Sequence, residues 1–151
     1  MSGLIVAREP IQTLWTEIVP LLYAHWREIA TWQDIELNPD LDSYEALEEA
    51  GMLRVYTARE DGKLVGYAAF FVRTNLHYSD SLQAQQDVLF LAPSHRKGTT
   101  GIRLIQRAEE ELAKDGVQVV YHHVKVAHDF GPVLERKGYK LVEKIYAKRI
   151  R

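Results

Sequence analysis

The residues best suited to chemistry lie in one stretch, from Asp87 to Ile105: D-V-L-F-L-A-P-S-H-R-K-G-T-T-G-I-R-L-I. An apolar run typical of a strand leads into a polar turn with two glycines, and an amphipathic helical pattern follows directly. Unpaired backbone N–H groups in such a turn, with the positive end of the helix dipole, favour an anion such as phosphate. Arg96 and Lys97 add mobile positive charge beside it. The pattern also fits an ordinary strand–loop–helix connection whose basic side chains are solvated.

Two common phosphate-binding motifs do not fit this loop. A P-loop requires GxxxxGK[ST], but here the lysine precedes Gly98 and the first glycine of the motif is missing. The dinucleotide fingerprint GxGxxG is absent as well. The remaining choice is therefore between a different kind of anion site and a plain connection.

The elements that must position this loop follow from hydrophobic periodicity and turn signals. An amphipathic helix begins at Pro10 and runs to about Ile29, and Pro20 is expected to kink or split it. A helix over Ser43 to Ala50 begins at an Asp42 or Ser43 cap, and Asp61-Gly62 is a hairpin turn signal. The other expected elements are strands over Met52 to Arg59, Lys63 to Val72, Gln86 to Leu91, Val117 to Val124 and Tyr139 to Ile150, a polar loop over Arg73 to Ser81, and helices over Gly101 to Lys114 and His128 to Lys137. This order predicts a mixed α/β (α+β) sheet, with an antiparallel N-terminal meander, a later βαβ crossover and helices on both faces.

Composition narrows the class of protein. The 151 residues are 46% hydrophobic and 26% charged, as in an ordinary globular domain, and the net charge of −2 gives no reason to expect nucleic acid or an anionic membrane as partner. The absence of cysteine excludes disulfides, thiolate metal sites and a cysteine nucleophile, and it is compatible with the cytoplasm, where we expect the protein. No stretch approaches the roughly 20 apolar residues of a membrane span, and the first residues do not resemble a signal peptide.

The loop resembles motif A of the GNAT superfamily of acetyltransferases, a strand ending in Val-x-Pro followed by [Q/R]-x-x-G-x-[G/A] at the start of a helix. Leu91-Ala92-Pro93 fills the strand exit, Arg96 opens the signature and Gly101 closes it. The chain departs from the pattern at Thr99, where the middle glycine is expected, while Gly98 lies one place early. The segment L-E-R-K-G-Y, which ends at Tyr139, is similar to the family's "YEKLGF", and H-R-K-G-T-T-G-I-R-L-I is similar to small phage-encoded members.

This resemblance implies a single acetyltransferase domain over residues 1–151, in which an amine attacks the acetyl-CoA thioester directly. It also implies that the N–H of Leu91 polarises the thioester carbonyl and that the main chain of Leu89 contacts the pantetheine arm. The residues expected to bind acetyl-CoA are Leu89, Phe90, Leu91, Arg96, Lys97, Gly98, Thr99, Thr100, Gly101 and Ile102.

Four residues are candidates for moving protons. Asp87 is the candidate base; by strand alternation we expect it to share a face with Leu89 and Leu91, although it also fits a plain strand start at the surface. The tyrosine that protonates the departing thiolate in many family members is replaced here by Leu134, so Tyr121 is the candidate substitute, with a core tyrosine as the alternative.

His122 and His123 point to opposite sides of the same strand, so one of them could reach the cleft as a base. Both also fit histidines that are simply hydrogen-bonded at a strand end. Together with His128 they are residues of a type that can bind a metal ion. No paired carboxylate accompanies them, however, so we expect no metal.

The missing tyrosine and the altered glycine positions leave two alternative functions open. One is a non-catalytic acetyl-CoA-binding or sensor module, and the other is an interaction domain whose loop no longer binds acetyl-CoA.

The segment from Asp34 to Glu49 carries seven acidic residues and no Lys or Arg, which favours a cationic amine acceptor through electrostatic steering. Acidic residues are also favoured at a helix start. The seven Lys and Arg from Arg136 to Arg151 favour an acidic partner instead, and a homodimer is compatible with the sequence.

Overall fold

The computed structural model describes residues 3–151 as a five-stranded sheet with helices on both faces. The strands are β1 (Leu4–Arg8), β2 (Leu53–Glu60), β3 (Lys63–Asn75), β4 (Tyr78–Leu91) and β5 (Val119–Tyr121). The α-helices are α1 (Ile11–Ile29), α2 (Leu41–Glu49), α3 (Thr100–Lys114) and α4 (Gly131–Arg136), and short 3-10 turns span Pro93–His95 and Val126–His128.

The sheet is mixed, as the element order predicted. Strands β1 to β4 follow one another as an antiparallel meander, and β5 joins the edge of β4 in parallel orientation. Helix α3 forms the crossover between β4 and β5, since a parallel neighbour cannot be reached by a tight turn. The crossover therefore places the Gly98–Gly101 loop at the end of β4, where α3 begins.

Each face of the sheet buries its own apolar layer. On one face, Leu104, Ala108 and Leu112 of α3 pack against Tyr56 and Phe70. On the other face, Ile11, Leu14 and Ile18 of α1 pack against Tyr67 and Phe90, with side chains of α2 alongside. We call these the α3 face and the α1/α2 face.

A β-bulge in β4 changes which face Asp87 occupies. Ala69 of β3 is opposite Val88, but the next β3 residue, Phe70, is opposite Gln86, so Asp87 is the extra residue on β4. Asp87 and Val88 consequently line the same cavity on the α1/α2 face, whereas Leu89 and Leu91 pack on the α3 face. The expectation that Asp87 shares a face with Leu89 and Leu91 is wrong, because alternation does not continue through a bulge.

Several element bounds differ from the sequence predictions. Strand β1, paired with β2, was not predicted, and the expected polar loop from Arg73 to Ser81 is mostly the extended end of the β3–β4 hairpin. Helix α1 continues through Pro20 rather than splitting there. The cap of α2 is Asp40, which accepts the Ser43 N–H at 3.1 Å, so the cap lies two residues before the earlier of the two predicted positions.

The C-terminal segment is not the strand that its sequence predicted. After Gly138, which has a φ of 97° and ends α4, residues 140–151 have no regular secondary structure and are exposed. Val142 and Glu143 line a cavity beside Tyr121, and Arg149 reaches Asp34, so the segment crosses the sheet edge instead of running along β5. A β-favouring composition forms a strand only where a neighbouring strand supplies hydrogen bonds.

Candidate active site

The central feature of the site is a gap between β4 and β5. The two strands pair only from Gln83–Val119 to Gln85–Tyr121, and beyond that point the side of β4 away from β3 has no strand partner among residues 3–151. The Ala92 N–H donates to the Val65 carbonyl of β3 at 2.8 Å. By two-residue alternation, the N–H groups of Leu89 and Leu91 point away from β3 and into the gap.

The loop at the end of β4 presents a second set of free amides. No backbone N–H from Lys97 to Ile102 donates a hydrogen bond within the described part of the chain. Thr99 is the N-cap residue of α3, yet its side chain makes no capping bond. Free amides at a helix N-terminus form a site for an anion.

The two glycines of this loop differ in their surroundings. A Cβ added to Gly98 would meet nothing within 4 Å, whereas one added to Gly101 would lie 2.9 Å from the Leu91 side chain. Gly101 therefore allows the start of α3 to pack closely on β4, while the space beside Gly98 is open to a ligand.

Arg96 is fixed in place rather than mobile. Its Nη2 donates to both carboxylate oxygens of Glu28 of α1, at 2.9 and 3.0 Å, and its Nε donates to the Leu91 carbonyl at 2.9 Å. It also lies over the Phe90 ring, 5.6 Å from the centroid. The expectation of a mobile positive charge is thus wrong for Arg96, because this side chain ties the loop to α1 and β4. Lys97 has no ion-pair partner within residues 3–151.

Asp87 stands at the mouth of a small cavity between the sheet and helices α1 and α2. Its Oδ2 accepts a hydrogen bond from the Tyr44 hydroxyl of α2 at 2.7 Å. Loss of water around it raises the pKa of the Asp87 carboxyl, and the Tyr44 hydrogen bond partly opposes that rise. The side chain nevertheless keeps solvent contact on its open side, so the rise is smaller than full burial would cause.

Tyr67 of β3 lines the same cavity and was not singled out from the sequence. Only 1% of this residue is exposed, and its hydroxyl has no hydrogen-bond partner within the described residues. A buried hydroxyl without a partner is energetically costly, and Tyr67 is one of the residues that line the cavity beside Asp87. No local pattern marks Tyr44 or Tyr67, since each comes close to Asp87 only through the tertiary fold.

The structure places His122 on the α3 face, away from Asp87. Its Nδ1 lies 2.6 Å from the Gln86 Oε1, and its ring packs edge-on against Phe70, Phe130 and Tyr139. Because Oε1 can only accept, Nδ1 carries the proton of the neutral ring. Burial lowers the pKa of His122 to about 4, so the imidazole is neutral at physiological pH and its Nε2 has no proton to give.

Tyr121 and His123 lie on the α1/α2 side of β5. His123 Nε2 contacts the Gln85 amide nitrogen at 2.7 Å, and Tyr121 lines a cavity of about 360 Å³ with Phe71, Gln85 and the C-terminal segment. The bulge in β4 and the alternation from Tyr121 to His123 thus place Asp87, Tyr121 and His123 on one face of the sheet and leave His122 on the other.

Neither Leu134, at the position of the family's proton-donating tyrosine, nor the nearby Tyr139 replaces that proton donor. Leu134 is 5% exposed and part of the buried interior. Tyr139, five residues later, donates its hydroxyl to Glu109 at 2.6 Å. Neither residue presents a free proton donor to the gap.

The acidic segment between α1 and the end of α2 is partly occupied by internal contacts. Asp34 pairs with Arg149 at 2.6 Å, Asp40 caps α2, and Glu48 accepts the Ile11 N–H at 3.1 Å. The basic C-terminal segment therefore neutralises part of the acidic segment within the same chain.

Two features are absent from residues 3–151. No three His, Asp or Glu side chains in residues 3–151 are arranged to hold a metal ion. None of the helices in that range has the length and apolarity needed to cross a membrane.

Solved structures of acetyltransferases have similar folds. The ribosomal-protein-alanine N-acetyltransferase of Brucella melitensis biovar Abortus 2308 has a TM-score of 0.74 at 19% identity, over 99% of this chain and 100% of the other. An aminoglycoside acetyltransferase from an uncultured soil metagenomic sample, in complex with sisomicin, has a TM-score of 0.73 at 17% identity, over 98% and 95%. A predicted acetyltransferase from Clostridium acetobutylicum, with acetyl-CoA, has a TM-score of 0.72 at 12% identity, over 97% and 96%. At these identities the likeness establishes the fold alone.

No curated protein has a significantly similar sequence. Residues 15–130, however, match the acetyltransferase (GNAT) family, and this range includes the gap between β4 and β5 and the free amides before α3. The match covers well over half of the chain and agrees with the resemblance of the loop to motif A. The chain belongs to the GNAT family and is an acetyl-CoA-dependent N-acetyltransferase.

Proposed function

We propose that this chain transfers the acetyl group of acetyl-CoA to a primary amine by direct attack, with Asp87 as the general base. The observation that carries the proposal is the bulge in β4. It turns the Asp87 carboxylate toward the α1/α2 face, two and four residues before the unpaired N–H groups of Leu89 and Leu91. The proton acceptor, Asp87, and the N–H groups that would polarise the thioester carbonyl therefore lie within five consecutive residues of β4.

The free backbone groups fit acetyl-CoA. A pantetheine arm can add to the open side of β4 much as a strand would, through the main chain of Leu89 and Leu91. The amides of residues 97–102, with Lys97 beside them, suit the pyrophosphate, and the open space at Gly98 leaves room for it. Bound acetyl-CoA supplies an activated acyl group on a thiol leaving group.

The chain's residues then have two tasks. Asp87 takes the proton of the acceptor ammonium, so that the nitrogen lone pair can form the N–C bond as the C–S bond breaks. The N–H of Leu91 donates to the carbonyl oxygen where negative charge develops. The sulfur departs as a thiolate and takes up the second proton, which the nitrogen loses as the amide forms; because thiols have a pKa near 8.5, a dedicated acid is not essential, which accounts for an active enzyme with Leu134 at the tyrosine position.

The acceptor is expected to approach from the α1/α2 face, where Asp87 is accessible. Four residues of the acidic segment, Glu36, Asp42, Glu45 and Glu49, have no ion-pair partner within residues 3–151, and they favour an amine on a cationic molecule. Solved acetyltransferases of similar fold include enzymes named for aminoglycosides and for a ribosomal-protein alanine, both of which carry amines.

A screen for thiol release from acetyl-CoA over polyamines, aminoglycosides, basic peptides and neutral amines tests this function. We expect thiol release to require an amine, and the amount of thiol released to equal the amount of acetylated amine formed. Binding of acetyl-CoA without release with any acceptor would favour the non-catalytic sensor module instead.

The role of Asp87 is tested by the pH dependence of kcat/KM. Asp87→Asn should remove the acidic limb of the profile and lower the rate by about 100-fold or more, the usual contribution of a general base. Asp80→Asn is the matched control, since Asp80 lies on the exposed end of the same strand. If the limb survives in Asp87→Asn and disappears in His123→Asn, His123 is the base.

A further inference from the structure

Within residues 3–151 the Asp87 carboxylate receives one hydrogen bond, and its donor lies on a different element of the fold. The Tyr44 hydroxyl on α2 donates to Asp87 Oδ2 at 2.7 Å, across 43 residues of sequence. The other side chains that wall the cavity are apolar, apart from Tyr67 of β3; α1 contributes Ile11, Trp15, Ile18 and Leu22, and β2 contributes Val55. No charged group faces Asp87 from α1, α2, β2 or β3 in this cavity.

We propose that Tyr44 is the positioning residue for Asp87, holding Oδ2 so that Oδ1 is the oxygen left to take the proton of the acceptor amine. This inference rests on the proposed function, because it assigns Tyr44 a role only if Asp87 is the base. Tyr44 itself touches no reacting atom in this scheme.

The surroundings of Tyr44 suit this role. Its ring packs against Trp15 of α1 with centroids 6.0 Å apart, which fixes the direction of the hydroxyl. Helix α2 is held by the Asp40 cap at its start and by Glu48, which accepts the Ile11 N–H, near its end. The position of the base is therefore tied to the packing of α2 on α1.

The hydroxyl can act as a donor throughout the working pH range. Burial, the nearby Asp87 charge and the hydrogen bond to that carboxylate all raise the pKa of Tyr44 above its ordinary value, so the phenol stays protonated. A hydrogen bond to a carboxylate favours the charged form, so its loss should raise the pKa of Asp87 further.

Tyr44→Phe tests the inference because it removes the hydroxyl and keeps the ring. We expect the acidic limb of the kcat/KM profile to move to higher pH by about one unit. At pH values below the limb, kcat/KM of the variant should then be about tenfold lower than that of the parent. At pH values above the limb, it should recover toward the parent value. A uniform loss at all pH values would mean that Tyr44 has a structural role only, and would overturn the inference.

Tyr67→Phe is the matched control, since it makes the same chemical change in the same cavity at a hydroxyl that makes no hydrogen bond to Asp87. We expect its acidic limb to stay at the parent position. If Asp87→Asn abolishes the limb but Tyr44→Phe leaves it in place, the positioning role is wrong and the proposed function stands. If Asp87→Asn itself keeps the limb, the assignment of the base fails, and with it the ground for a role of Tyr44.

Discussion

The buried histidine on the α3 face predicts how the stability of the protein depends on pH. The folded chain holds the pKa of His122 near 4, against an ordinary value of 6.5. As the pH falls below 6.5, the unfolded chain takes up a proton that the folded chain refuses, so the unfolded state gains stability. The contribution of neutral His122 is thus complete above pH 6.5 and is lost as the pH falls toward 4. Linkage gives a loss of about 2 kcal/mol at pH 5 and about 3 kcal/mol at pH 4.

The assay is thermal unfolding of the parent and of His122→Asn at pH 7, 6 and 5. Asparagine does not titrate and keeps a donor for the Gln86 Oε1, although it leaves a gap among Phe70, Phe130 and Tyr139. The variant should be less stable at pH 7, and its deficit should shrink by about 2 kcal/mol at pH 5, which corresponds to roughly 4–8 °C in melting temperature for a chain of this size.

The comparison of parent and variant cancels the other titrating groups. His123→Asn is the matched control for the general effect of replacing a histidine next to β5, since its ring contacts Gln85 on the other side of the sheet. A deficit of His122→Asn that stays constant or grows between pH 7 and 5 would refute the reasoning, because His122 would then not be held neutral by the fold.

The remaining predictions concern the loop and the acidic segment. Gly98→Glu should leave the melting temperature unchanged but weaken acetyl-CoA binding, measured by calorimetry, because the new side chain enters open space beside the free amides. Gly101→Val should instead destabilise the fold by about 1–3 kcal/mol, because its Cβ meets the Leu91 side chain. Equal effects of the two changes on stability would contradict this assignment. Arg149→Ala frees the Asp34 carboxylate, so kcat/KM for a cationic acceptor should rise at low salt and fall more steeply with salt than in the parent; a flat profile in both proteins would refute electrostatic steering.

The features that could be predicted from the sequence are those with local causes. The strand–turn–helix pattern from Asp87 to Ile105 follows from apolar periodicity and from glycine positions, and the structure has strand, loop and helix in that order. The Asp61-Gly62 turn joins β2 to β3 as expected, with both residues at positive φ. The mixed sheet followed from the order of the elements.

The features that the sequence did not predict depend on contacts between distant residues. The bulge that turns Asp87 to the α1/α2 face arises from the pairing of β4 with β3, and strict alternation placed the carboxylate on the wrong side. The Glu28 partner of Arg96 is 68 residues away, so a basic side chain that looked mobile is in fact held. The C-terminal segment has the composition of a strand but no strand beside it.

The central claim is that acetyl-CoA binds along the open side of β4 and at the amides before α3, and amide-resolved NMR during an acetyl-CoA titration tests it most directly. The account predicts that the largest shifts occur at the N–H groups of Leu89 and Leu91 and of residues 97–102, because these donors have no hydrogen-bond partner within residues 3–151. Gly98→Glu should abolish the shifts in the loop at the same ligand concentration. Unchanged amides in both regions, or shifts confined to α2 and the C-terminal segment, would contradict the account.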